Sequence, residues 1–196
     1  MKQKRKRIKH LHTPGDCHEL TFSCYQNRSL LTEDRWRLKF CRQLERANLA
    51  YQMELIAFVV MPNHVHLLVY PVESDPQIDN YLFAIKRPFS YRIKQELAQS
   101  NQQLLEELTI RERPGKLSFG FWQEGPGYDR NLDTEQAVLA SIEYLHLNPV
   151  RKKFVTQARD WRWSSAQWYD SGGELGDPAL PTIHGLQAGF FTEVRD

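Results

Sequence analysis

Hydrophobic and polar positions alternate from His18 to Tyr25, with Leu20, Phe22 and Cys24 set against Glu19, Thr21 and Ser23, which predicts a half-buried first strand. The period then lengthens: Thr32-Glu33-Asp34 opens an amphipathic helix to about Ala50, with Trp36, Phe40, Leu44 and Leu49 near one face. Residues 52–70 predict a hairpin, in which Leu55 to Val60 is a buried strand, Pro62-Asn63 a turn and Val65 to Tyr70 the returning strand. After a loop from Pro71 to Pro76, Ile78 to about Ala98 predicts a second helix that Pro88 must break or kink. Residues 99–118 are polar and punctuated by Pro114-Gly115, and Phe119 to Leu132 predicts an irregular strand bent at Gly125-Pro126-Gly127. Asp133-Thr134-Glu135-Gln136 predicts an N-cap with glutamine at the third helical position, a capping box, and a third helix to about Asn148 that Pro149 ends. The remainder, from Arg151, is first Trp-rich and then Gly- and Pro-rich, and no internal repeat is present. Strand, helix, strand, strand, helix, strand, helix implies an α+β domain with helices packed on an antiparallel sheet.

The hairpin carries the strongest chemical signal, Met61-Pro62-Asn63-His64-Val65-His66. Side chains alternate along a strand, so His64 and His66 project from one face while Val65 enters the opposite layer. Two imidazoles side by side on a rigid sheet are half of a metal site. Two histidines on a solvated sheet face is the competing reading. The triplet's place inside an apolar hairpin favours the metal.

Composition narrows the class without deciding it. At 196 residues the chain is long enough for one domain with a core and tails, and 41% hydrophobic content is ordinary for a folded protein. Net charge is +2, yet residues 1–10 hold six lysines and arginines and no acid. Removing those six from the chain's 26 basic residues leaves 20 against 24 acidic, a net −4. The basic character is therefore a tail, suited either to a phosphate backbone or to solubility alone. Cys17, Cys24 and Cys41 are odd in number and lack a C-x-x-C, which argues for reduced thiols and a cytoplasmic setting. No apolar core follows the basic start, and no apolar run is long enough for a bilayer, so neither a signal peptide nor a membrane partner is expected.

In the third helix, Val138, Ile142 and Leu145 form the core stripe, and Tyr144 and Asn148, four apart, share an adjacent face. A phenol and a carboxamide so placed can serve as nucleophile and oxygen ligand. On helix statistics alone, a core aromatic and a helix-terminal residue before proline are the preferred account of them. Tyr128, beside Gly127, is a rival nucleophile without such a carboxamide.

Met61-Pro62-Asn63-His64-Val65-His66 followed by Tyr144-Leu145-His146-Leu147-Asn148-Pro149-Val150-Arg151 resembles the REP-associated tyrosine transposases, single-tyrosine transposases named for a His-hydrophobic-His motif. Glu19-Leu20-Thr21-Phe22-Ser23, Ile85-Lys86-Arg87, Phe121-Trp122-Gln123 and Trp161-Arg162-Trp163-Ser164-Ser165 support it, so that it spans roughly residues 17–168. The resemblance implies a ferredoxin-like palm over residues 17–155, with a basic arm at 1–16 and a Trp-rich extension at 156–196. It implies that His64, His66 and Asn148 bind Mg²⁺ or Mn²⁺ and that Tyr144 is the nucleophile. It also implies a bacterial enzyme, nucleoid-associated when bound to DNA, that cleaves and rejoins single-stranded or hairpin DNA of REP type through a 5′-phosphotyrosine, as monomer or homodimer. Lys86, Arg87, Arg92 and Lys94 on the second helix are the candidate DNA-binding cations. Lys152-Lys153-Phe154-Val155 departs from the Ala-Gly-Leu-Val ending the family suggests, which bears on how the helix exits. A silent nucleic-acid-binding protein of the same fold and a nuclease that uses water in place of tyrosine are the two alternatives. Cleavage that survives Tyr144→Phe marks the second.

Overall fold

A computed structural model describes residues 15–113, 115–125 and 127–186. The basic stretch of residues 1–10 lies outside the described residues. Strand β1 (Cys17–Ser23) leads to helix α1 (Asp34–Ala50), the hairpin strands β2 (Met53–Val60) and β3 (His64–Pro71), and helix α2 (Ile78–Ser100). A short helix α3 (Gln102–Glu107) and a separate hairpin, β4 (Thr109–Arg113) and β5 (Lys116–Phe119), follow. Strand β6 (Tyr128–Leu132), helix α4 (Glu135–Arg151) and a one-turn helix α5 (Ala166–Asp170) complete the described elements.

The main sheet has the order β2-β3-β1-β6 with antiparallel neighbours throughout. With β6 as the fourth strand this is the βαββαβ, ferredoxin-like arrangement, and α3 with the β4–β5 hairpin is inserted before that strand. Alternation of side chains divides the sheet between two cores. Leu20, Phe22, Val65, Leu67 and Val69 face α1 and α2, where Trp36, Phe40, Leu44, Tyr81, Ile85 and Phe89 pack. On the other face Leu68, Leu132, Ile56 and Val59 meet Val138, Ile142 and Leu145 of α4. A register shift between Leu55 and Ala57 of β2 interrupts the alternation, so that the neighbours Ile56 and Ala57 are both buried in the α4-side core.

Four expectations change. Leu49 is 73% exposed, because at 100° per residue it stands roughly 140° round the helix from Leu44. Pro88 neither breaks nor ends α2. A proline leaves the carbonyl four residues earlier without its usual donor, and here Gln43 of α1 donates its amide to that Ala84 carbonyl at 2.8 Å. The α4 cap is Thr134, whose Oγ1 accepts from the Ala137 N–H, so the cap falls one residue later than Asp133 and the capping box with Gln136 does not form. Pro149 sits inside α4, which runs on to Arg151. Its exit is a Schellman turn: the Phe154 N–H donates to the Pro149 carbonyl and that of Lys153 to Val150, both at 2.9 Å. Lys153 takes the left-handed position, φ +58°, where glycine is favoured.

The segment after α4 lies along the outer edge of β2. The Val60 N–H donates to Trp163, and the N–H groups of Ser165 and His184 donate to Phe58 and Leu55. The edge of the sheet is thereby covered. Trp161 stacks on Phe154 at 5.5 Å and Trp163 is buried.

Candidate active site

The register places the site row by row. Thr21 of β1 is paired with His66 of β3 on one side and Tyr128 of β6 on the other, and Ser23 is paired with His64. Directly paired residues share a face, so His64, His66, Thr21 and Tyr128 all look toward α4. The two imidazole rings are 4.8 Å apart between centroids. His64 Nδ1 lies 2.7 Å from Asn63 Oδ1, and His66 Nδ1 lies 2.7 Å from Thr21 Oγ1. Each ring thus has one nitrogen engaged by a neighbour and Nε2 left for a ligand, the arrangement by which metal-binding histidines are oriented.

Burial holds both rings neutral. It pushes His66 down to about 4, with His64 beside it adding to the shift. His64 is lowered by burial and then by Lys152. Neutral imidazole is the form that binds a metal. A carboxamide oxygen is the remaining donor to hand, on α4. Asn148 is buried, and its amide donates to the Tyr144 carbonyl at 3.0 Å, which fixes the side chain while its oxygen stays an acceptor. Two imidazole nitrogens and a carboxamide oxygen are donors of the kind that suit a divalent metal ion. Among the described residues no group of three or more His, Cys, Asp or Glu offers a rival metal site.

Tyr144 stands one helical turn before Asn148, with its ring 5.9 Å from that of His66 and edge-on to it. It is 45% exposed. The Arg151 guanidinium lies 4.9 Å from the centre of the same ring, so positive charge sits against the phenol. The phenol opens on a cleft of about 470 Å³ between α4 and the sheet, lined by Glu19, Thr21, His66, Tyr128, Arg130 and Ser141 among others. Tyr128 therefore shares the cleft. Its position depends on Gly127: φ is +88°, and a Cβ there would meet the Thr21 carbonyl oxygen at 2.3 Å.

The structure brings His64, His66 and Tyr144 together, and the amide of Asn148 is tied to the Tyr144 backbone. It does not bring the cations of α2 to them. Lys86 lies with Nζ 4.7 Å from the Phe22 ring, in the layer on the other side of the sheet, and burial lowers its pKa to about 8 against the opposing pull of Asp79. Arg87 stacks over Phe83 at 5.1 Å, Arg92 is half-buried and Lys94 is exposed, all on that same helix. Sequence reasoning missed the orienting roles of Thr21 and Asn63, and it missed Glu19 and Ser141 as cleft residues. The alternation of β1 already puts Glu19 and Thr21 on one face, but only the pairing of β1 with β3 puts that face beside His66.

Residues 17–110 match the model of the family described as transposase, IS200-like. A Haemophilus influenzae protein bearing the name REP-associated tyrosine transposase is 30% identical over 120 residues, 59% of this chain and 60% of that protein's length. A solved structure of a REP-associated tyrosine transposase bound to a REP hairpin superposes with a TM-score of 0.64 at 17% identity, covering 93% of this chain and 98% of its own, a likeness of fold. No helix among the described residues is long and apolar enough to cross a membrane.

Proposed function

We propose that the chain, whose residues 17–110 match the model of the IS200-like transposases, is a member of that family and a DNA strand transferase with Tyr144 as nucleophile and His64, His66 and Asn148 as holders of a divalent metal. The substrate is single-stranded or hairpin DNA of the REP type. The observation that carries this reading is the placing of Tyr144 beside His66 at the mouth of one cleft, with the Nδ1 atoms of both histidines already occupied.

In the reaction the Tyr144 oxygen forms a bond to the scissile phosphorus as the bond from phosphorus to the 3′ oxygen breaks. The phenol proton leaves, the 3′ oxygen takes one up, and the protein keeps a 5′-phosphotyrosine. Bond energy is conserved in the diester, so the reverse attack by a 3′-hydroxyl rejoins the strand without ATP. A bound divalent ion supplies charge neutralisation at the phosphate oxygens. Arg151 brings a further positive charge to the place where phenol and phosphate meet. Thr21 and Asn63 hold the rings of His66 and His64 in the ligating orientation.

The test uses labelled hairpin DNA with a flanking single strand, resolved by denaturing electrophoresis, with mass spectrometry of the linked peptide. Wild type gives a covalent adduct on Tyr144. Tyr144→Phe removes one oxygen, loses adduct and cleavage, and retains DNA binding, while Tyr128→Phe keeps the adduct. An adduct mapped to Tyr128, or cleavage that persists in Tyr144→Phe, overturns the assignment; the latter result marks attack by water.

A further inference from the structure

Resting on the reading above, we propose that the cleft beside Tyr144 is a pocket for one unstacked nucleobase next to the scissile phosphate, and that Glu19 makes it select guanine. The sheet row next to Thr21–His66 is Arg130–Glu19–Leu68, on the same face. The cleft therefore continues from the nucleophile along the sheet to Glu19. Its far wall is α4, where Ala137, Ala140 and Ser141 are all small and leave the room.

Two polar groups in this cleft have no partner among the described residues, and one of them, the Ser141 hydroxyl, is fully buried. Glu19 is only 8% exposed, yet no hydrogen bond or ion pair reaches its carboxylate among the described residues, not even from Arg130, its direct cross-strand neighbour. Ser141 is 5% exposed and its Oγ has no partner, not the backbone of its own helix either. A buried polar group is ordinarily satisfied, so the orphaned Ser141 hydroxyl, beside an unpartnered carboxylate that lines the same cleft, marks a place where a ligand supplies the bonds. At the mouth stand Tyr128, a half-exposed ring on which a base can stack, and Arg130, an exposed cation for the backbone phosphate.

The chemistry of the carboxylate chooses among the bases. It only accepts, and it has two oxygens. Unpaired bases are read on their Watson–Crick edges. Guanine presents two adjacent donors there, N1–H and the 2-amino group, which match the two oxygens. Adenine and cytosine offer one amino group beside a ring-nitrogen acceptor, and thymine one N–H between two carbonyls. In each of these three an acceptor would face a carboxylate oxygen. Ser141 adds a hydroxyl donor for a further oxygen of the nucleotide.

The experiment measures the rate of adduct formation on oligonucleotides that vary one base at a time on both sides of the mapped cleavage point. It includes inosine, which is guanine without the 2-amino group. The expected result is a preference for guanine over inosine of roughly tenfold at one position within two nucleotides of the cut, as for a bidentate base contact. In Glu19→Gln, which changes one oxygen to an amide, that preference collapses and adenine gains, because a carboxamide matches adenine's donor–acceptor pair. The guanine-to-inosine comparison on wild type needs no variant, so it decides the matter even if Glu19→Gln folds poorly. Adduct formation with no preference at any flanking position, or a guanine preference unchanged in well-folded Glu19→Gln, overturns the pocket and leaves Tyr144 as nucleophile. Absence of any adduct in wild type overturns the earlier reading, and the pocket with it.

Discussion

His66 shows how little of a residue's chemistry is its own. The ring is ordinary histidine until β1 sets Thr21 against Nδ1 and the fold buries it, after which it is neutral far below its usual range. Thr21→Val keeps the shape and removes the hydroxyl, so the ring loses its orienting partner. Metal affinity should fall roughly 10- to 100-fold, the usual cost of losing such a partner, while His64→Ala or His66→Ala should abolish binding outright. Titration calorimetry with Mn²⁺ at pH 7.5 reads both. Metal binding by Thr21→Val equal to wild type would remove the orienting role. At the end of α4, Lys153 holds a left-handed conformation that costs a side-chain-bearing residue roughly 1 kcal/mol. Lys153→Gly should raise the urea midpoint by about that much stability, and it should leave the Schellman hydrogen bonds in place.

At the scale of elements, α2 persists through Pro88 because α1 supplies what the proline withholds. Gln43→Leu leaves the Ala84 carbonyl without its donor and should cost about 1 kcal/mol. Pro88→Ala restores a backbone N–H to that carbonyl, so in the Gln43→Leu background it should recover most of the loss. A double-mutant cycle by urea denaturation measures the coupling, and additive effects would show that the two residues are independent. The α4 helix works differently. Its apolar stripe docks it on the sheet, and that docking sets the height of Tyr144 above His66. This is why a residue that helical spacing leaves ambiguous has a definite place in the cleft.

For the whole molecule, the three cysteines report on burial. Cys17, Cys24 and Cys41 are all free and buried, and desolvation is the largest cause that pushes each thiol up to about 12. Below pH 9 the thiols are protonated in both folded and unfolded chains, and their contribution is fully present. Above it the unfolded chain ionises first, so stability falls as the pH rises from 9 toward 12. Lys86, lowered to about 8, acts in the other direction between 8 and its ordinary value of 10.5, but it is one group against three thiols, which the hydroxyls of Tyr70, Tyr81 and Tyr169, also raised by burial, join above pH 10. The urea midpoint should therefore be lower at pH 10.5 than at pH 8. The combined Cys17→Ala, Cys24→Ala and Cys41→Ala variant should lose most of that difference. At pH 8 the native thiols should resist alkylation until the protein is unfolded.

The sequence by itself determined the elements whose period is their own: the alternation of β1, the apolar run of β2, the amphipathic course of α1 and the paired histidines on one face of β3. These are local consequences of side-chain geometry and hold whatever the neighbours do. It also carried the motifs on which the resemblance to the REP-associated tyrosine transposases rests, since His64-Val65-His66 and Tyr144 to Asn148 can be read along the chain. The tertiary structure alone decided what depends on a partner far away in sequence. Whether Pro88 ends a helix turned on Gln43, 45 positions before it. The short hairpin of β4 and β5 is polar and has no apolar period to announce it. The cations of α2 fell on the far side of the sheet from Tyr144, because α2 packs with α1 and α4 takes the histidine face. Glu19 became a cleft residue only when β1 entered the sheet between β3 and β6. A strand's pattern fixes which side chains share a face, and pairing across the sheet decides what that face meets.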